Sequence, residues 1–289
     1  MTRSDEFAQA QLEAERLLNE LGITELPIDP YKIAKRLDIE LKPMPANSGG
    51  ASGMLLRFGN EFGIGYPIHI NNEGFKRFSV AHELGHYRIP GHQNAVIDAS
   101  GTHLSRAGFV TDDHYELEAD HFAAALLMPR RQFAEALSKL PEGLRGIETL
   151  STLCITSLEA TAIRYTQCSR RPVAVIRSQG HKIDYAFMSG ALRDFRSLTW
   201  IRKNTPIPDG TPTAAFASDT SRIRHGERIV GASDMEDWFG GCPQDIIEEV
   251  VGLGRYGKTL TVLTGMEHPD DNEDDDAQLV ASWTPKFSG

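Results

Sequence analysis

His82, Glu83 and His86 stand in the run FKRFSVAHELGHYRIPGH, residues 75–92, and spell HELGH, an instance of HExxH. On an α-helix, residues four apart share a face, so the two imidazoles can offer nitrogens to one metal ion. Glu83 lies about 100° further round, close enough to take a proton from an attacking water without itself ligating. Zinc is the usual occupant of a site built from imidazole and carboxylate with an open position, and manganese or iron can use the same ligands. Taken alone, the pattern also describes a surface helix with two ordinary histidines. Phe78, Ala81 and Leu84 argue otherwise, because they give this helix an apolar side, and histidines on a buried helix need polar partners to offset their desolvation.

A third ligand must come from elsewhere, and three residues compete. His92 stands six residues after His86, the third-histidine position of HExxHxxGxxH. That pattern asks for glycine three residues after the second histidine; Ile89 stands there, although Pro90 and Gly91 could turn the chain one residue late. The other two candidates, Glu116 and Glu118, lie in YELEADHFAAALLMP. Glu116 and Asp120 are four apart and share a helical face, whereas Glu118 points about 160° away from Glu116. A ligand carboxylate followed one turn later by an acid that hydrogen-bonds a ligating imidazole makes a matched pair on one helix. This is also the gluzincin ExxxD spacing, so Glu116 is the expected ligand, Asp120 its supporting acid, and Glu118 a solvated or ion-paired side chain. Peptide chemistry at such a site also wants a donor to the developing oxyanion. Tyr87, His103, His114, Tyr115 and His121 are on offer, and spacing does not choose among them.

These residues need elements to hold them. Residues 8–21, AQAQLEAERLLNEL, are rich in helix formers, with Leu12, Leu17, Leu18 and Leu21 at helical spacing. A second short helix, YKIAKRL, follows LPIDP, and IELKPMP reads as extended. The stretch SGMLLRFGNEFGIGYPIHIN reads as a hairpin plus a further strand ending at Asn71. Asn71 or Asn72 then caps the HELGH helix. From Pro90 to about Asp113 periodicity lapses, which reads as a long loop. Helical spacing returns in HYELEADHFAAALLMP, RRQFAEALSKL and IETLSTLCITSLEATAIRYTQ. The last has the look of a helix-turn-helix in which Ser157 opens the second helix, but its turn lacks glycine, and Glu148 and Glu159 dilute the charge of Arg164, Arg170 and Arg171. A structural brace is therefore expected there rather than a reader of DNA. Beyond Pro172, PVAVIRS, KIDYAFM, LTWIRKN and KTLTVLTG are strand-like.

The expected fold class is α+β. A zincin-like protease core, with a short sheet beside the HExxH helix, occupies 1–130; a helical, helix-turn-helix-like element occupies 131–171; and a β-rich region follows in 172–289, with an acidic loop at 270–276. At 289 residues the chain is long enough for one large domain or two ordinary ones. A formal net charge of −10 works against nucleic acid as a direct ligand. Part of that excess is the 270–276 run, which reads as a solvated loop or tail. Cys154, Cys168 and Cys242 are too widely spaced for a disulfide framework or a thiolate zinc site. With a polar N-terminus and no apolar run of ~18 residues, a cytoplasmic protein without a membrane partner is expected. Oligomeric state is left open.

RFSVAHELGHYRI, then ELEADHFAAALLMP, preceded by LPIDPYKIAKRL, resembles the ImmA/IrrE family of bacterial metallo-endopeptidases over roughly residues 10–170. The resemblance implies zinc held by His82, His86 and Glu116, with Glu83 as catalytic acid/base. It also implies a substrate class, helix-turn-helix transcriptional repressors that are cleaved to release the genes they silence. Many relatives carry a DNA-binding domain ahead of the protease; this chain has no room for one, so a repressor acting as a separate partner is expected. In relatives the C-terminal part resembles a GAF-like sensor, and the region after Pro172, which carries no catalytic motif, is expected to be a sensor or a substrate-docking module. The competing reading is a non-catalytic regulator of the same fold that binds a partner protein or effector. The intact set of His82, Glu83, His86 and Glu116 argues against it, since a binding module has no need of all four.

Overall fold

The computed structural model describes residues 3–44, 50–106, 112–195, 198–241 and 243–267, so that Cys242 and the acidic run 270–276 lie outside the described residues. It is a mixed α+β fold with two sheets. The chain forms two compact units, the described residues of Met1–Lys139 with Glu148–Thr161, and those of Leu140–Ile147 with Ala162–Gly289.

The first unit opens with α1 (Arg3–Glu20), α2 (Pro30–Arg36), β1 (Glu40–Met44) and the strands β2 (Gly53–Phe58) and β3 (Glu61–Pro67). It continues through α3 (Glu73–Arg88), α4 (His92–Val96), β4 (Thr102–Ser105), α5 (His114–Leu127) and α6 (Arg130–Leu137). Its sheet runs in the order β1-β3-β2-β4, with β1 parallel to β3 and the other pairs antiparallel. Pro43, which has no N–H to give, is tolerated because β1 is an edge strand. The expected hairpin is β2-β3, but IHIN does not extend the sheet. Pro67 ends β3, Ile68 is 54 % exposed, and a tight turn from Asn72 N to Ile70 O at 2.9 Å leads into α3. The expected loop from Pro90 to Asp113 likewise contains α4 and the short strand β4.

Both helices that matter for chemistry start at side-chain caps. Asn72 Oδ1 accepts the Phe75 N–H at 3.0 Å to open α3, and Asp113 Oδ1 accepts those of Tyr115 and Glu116 at 2.9 and 3.4 Å to open α5. Helix α5 packs against both α1 and α3. Leu17, Leu18, Val80, Leu84, Phe122 and Leu126 bury their side chains in the resulting core, and Leu55 and Ile64, paired across the hairpin, join them. Each fully buried side chain of this size contributes about 1.5–3 kcal/mol. At Gly85, the fourth residue of HELGH, an added Cβ would sit 3.2 Å from Ala119 Cα, so the absence of a side chain there lets α3 and α5 close on each other.

Helices α7 (Leu144–Cys154) and α8 (Leu158–Cys168) supply residues to both units. Their turn does without glycine by placing Ile155 at φ 55, and Ser157 Oγ accepts the Ala160 N–H at 3.1 Å as α8 begins. Arg164 is 4 % exposed and donates to Gln167, while Arg171 pairs with Glu142 at 3.0 Å. The second unit carries β5 (Ala174–Gln179), β6 (Lys182–Met188), α9 (Gly190–Arg193), α10 (Pro212–Ala217), α11 (Thr220–His225), β7 (Arg228–Asp234), α12 (Met235–Phe239), β8 (Asp245–Gly252) and β9 (Lys258–Thr264). Its sheet is antiparallel throughout, in the order β6-β5-β9-β8-β7. LTWIRKN is not one of its strands: Asn204 takes φ 69, and Pro206 meets Lys182 only in an isolated bridge.

Candidate metal centre

The crossing of α3 and α5 assembles the site. His82 and His86, one turn apart on α3, are fully buried, and Glu116, in the first turn of α5, is 7 % exposed. One potential ligand atom from each lies within 4.8 Å of the other two. His82 Nε2 is 3.0 Å from His86 Nε2 and 3.5 Å from Glu116 Oε2, and His86 Nε2 is 3.4 Å from Glu116 Oε1.

Each member is held from behind. His82 Nδ1–H donates to Asp120 Oδ1 at 2.8 Å, which leaves Nε2 turned to the cluster. The Glu116 carboxylate accepts from His103 Nε2 at 2.9 Å and from the Arg106 N–H at 2.8 Å. The strand β4 therefore anchors the carboxylate of the triad, a role that a local reading of the sequence missed. Gly91, at φ 89, does turn the chain one residue late and buries His92. The ring nitrogens of His92 nevertheless engage other partners, Nδ1 lying 3.2 Å from His86 Nδ1 and Nε2 lying 2.6 Å from Glu118 Oε2. Of the two expectations for Glu118, solvated or paired, the structure shows the second, with Glu118 a largely buried partner of His92.

Glu83 is fully buried, and among the described residues neither of its carboxylate oxygens has a hydrogen-bond partner. A Cβ at position 53 would stand 2.2 Å from its Oε1, so the carboxylate occupies the space that Gly53 leaves empty. Burial pushes the Glu83 carboxyl up to about 7, against the opposing pull of His82. Burial also works against charge on His82, but the acceptors Asp120 and Glu116 outweigh it and hold its pKa up at about 10. His86, buried beside it, is taken down to about 3. Burial would raise Glu116, yet hydrogen bonds from His103 and His82, with the imidazole of His86 close by, hold it well below the usual carboxylate range. The Nε2 atoms of both imidazoles and the Glu116 carboxylate oxygens thus face one another around the place where a cation would bind. The donor set and the buried Glu83 carboxylate beside it fit a divalent ion.

Of the five side chains considered for the oxyanion, the structure puts His103 against the triad, its ring 4.5 Å from that of His86. Tyr87 packs edge-on to Phe62 at 5.0 Å, and His121 stacks on Phe7 at 4.3 Å. Tyr115 meets His92 edge-on at 5.1 Å and has His114 beside it. Among the described residues no helix is long and apolar enough to cross a membrane.

A family model described as the IrrE N-terminal-like domain, Peptidase M78, matches residues 34–166, a span that holds the whole cluster. Among solved structures, one described as a Mycobacterium tuberculosis transcriptional regulator is similar with a TM-score of 0.55 at 15% identity, over 89% of this chain and 76% of that one. At that identity the likeness is one of fold. None of the curated proteins matches.

Proposed function

With residues 34–166 belonging to the IrrE N-terminal-like family of M78 peptidases, we propose that the chain is a cytoplasmic zinc endopeptidase that cleaves a helix-turn-helix transcriptional repressor and so releases the genes it silences. The observation that carries the reading is the convergence of His82, His86 and Glu116 from two helices to within 4.8 Å, beside a buried carboxylate that accepts no hydrogen bond from the described residues. The repressor substrate rests on the family resemblance, and the solved structure of similar fold is itself a transcriptional regulator. The β-rich part after Pro172 takes the sensing or docking role.

His82, His86 and Glu116 would hold the ion, in the gluzincin manner of two residues on one helix and a carboxylate on another. A divalent ion bound there supplies Lewis acidity toward the scissile carbonyl and the attacking water. Glu83 accepts the proton of that water and passes it to the departing amine, a transfer helped by a proton affinity already raised by burial. Asp120 fixes the ring of His82. His103 gives its Nε2–H to Glu116 and so steadies that carboxylate as a ligand. Zinc suits the donor set, and manganese or iron would use the same three residues.

The test is incubation of the zinc-loaded protein with a repressor encoded next to its gene. Glu83→Gln is expected to retain zinc while cleavage falls by roughly 10²–10⁴-fold, the usual worth of a general base. His82→Ala should lose zinc as well. Cleavage by Glu83→Gln at the wild-type rate would overturn the assigned chemistry.

A further inference from the structure

The triad uses one nitrogen of each imidazole, and the other nitrogens are treated differently. His82 meets a carboxylate directly, whereas His86 meets a second histidine. Nδ1 of His86 lies 3.2 Å from Nδ1 of His92, and Nε2 of His92 lies 2.6 Å from Glu118 Oε2. His92 is 1 % exposed and Glu118 9 %, so two side chains that the triad does not use are packed in line behind it. They come from separate elements, α4 and α5, and the left-handed turn at Gly91 brings His92 back against α3.

With His92 neutral, the hydrogens in this line go together in one consistent way. A carboxylate only accepts, so Glu118 requires an N–H on Nε2 of His92. Neutral His92 then has a bare Nδ1, which can accept from Nδ1–H of His86. That leaves the lone pair of His86 on Nε2, the atom facing His82 and Glu116. The other tautomer of His86 would set two bare nitrogens 3.2 Å apart in a buried place with no donor between them. We infer that Glu118 and His92 are positioning residues, a relay that fixes His86 as the Nδ1–H tautomer and presents its Nε2 to the metal; the inference rests on the metal site proposed above. The relay does for His86 what Asp120 does for His82, at one further remove. Each ligating imidazole is then backed by a carboxylate, and both carboxylates belong to α5.

Nitrogen NMR of the histidine side chains in the metal-free wild-type protein reads the tautomer directly. Nδ1–H is expected on His86 and Nε2–H on His92. His92→Leu removes the acceptor, and by competition with a chelator its zinc affinity is expected to fall roughly 10–100-fold. The visible spectrum of the cobalt-substituted protein should change with it. His92→Asn, whose amide oxygen can stand where Nδ1 stood, is expected to recover most of the affinity and the wild-type spectrum, and Glu118→Leu to lose part of both. The relay is overturned if wild-type His86 carries its hydrogen on Nε2, or if folded His92→Leu binds zinc within about twofold of wild type. Wild-type protein that bound no zinc would sink the proposed function instead, and the tautomer measurement would still decide the relay.

Discussion

Glu83 owes its place to a glycine on a different element. The Gly53 backbone, at the start of β2, leaves room for a carboxylate oxygen where a Cβ would stand 2.2 Å away. Because Glu83 is fully buried, Gly53→Ala has to turn its carboxylate out of position. This variant is expected to bind zinc normally and to cleave roughly 10²-fold more slowly, the low end of what a misplaced general base costs. A kcat equal to wild type, measured at full zinc occupancy, would show that the carboxylate is not where the chemistry needs it. The sequence made His82, Glu83 and His86 legible because identity and helical period suffice for them. Glu116 and Asp120 were legible for the same reason, once a second helix was recognised. His103, His92 and Glu118 were not, since each acquires its meaning from a partner on another element, and neither period nor residue type names that partner.

At the scale of elements, α3 and α5 were readable from apolar spacing, and α3 also from the choice of Asn71 or Asn72 as its cap; the cap of α5, Asp113, emerged only in the structure. Strand β4 was not, because four residues, THLS, are too few for alternation to show, and Leu104 is 52 % exposed. Its identity as a strand comes from pairing with β2 in the register Gly53↔Ser105, a long-range property. Strands β7 and β8 went unread for a related reason. Gly231 and Ser233 weaken the pattern of the first, and Glu248 and Glu249 interrupt that of the second. Glu248 is nevertheless fully buried, accepting hydrogen bonds from Trp238 Nε1 at 2.9 Å and from the Thr213 N–H. The approach of α3 to α5 at Gly85 invites its own experiment. An added Cβ would already lie 3.2 Å from Ala119 Cα, so the branches of valine must push the helices apart. Gly85→Val is expected to lower stability by roughly 1–3 kcal/mol, as overpacking does. It should also abolish stoichiometric zinc binding, because ligand distances tolerate only about ±0.2 Å. Denaturant midpoints together with zinc analysis check both effects, and full zinc occupancy in the folded variant would refute the crossing as the source of the site.

At the scale of the whole molecule, metal binding and folding are linked. A ligand bound only by the native state stabilises it by about 2.7 kcal/mol at a hundredfold excess over Kd. Chelation is therefore expected to lower the first thermal transition of wild type and to leave that of His82→Ala unmoved, as followed by calorimetry. Equal shifts in the two proteins would place the zinc elsewhere. The net charge of −10, the burial of Arg164 and the pairing of Arg171 with Glu142 also set an expectation for nucleic acid. Mobility-shift assays at moderate salt should show no tight complex with duplex DNA, and sequence-dependent retardation would contradict it. The M78 character of residues 34–166 and the α+β class of the chain were within reach of the sequence, because the motif-bearing helices declare themselves locally.

Glu116, Glu118 and Asp120 ride on a single rod, α5, so any displacement of that rod carries all three acids at once. Substitutions along it should prove strongly non-additive, and catalytic competence would then be gained or forfeited in one stroke, with no half-built intermediate for selection or engineering to work on.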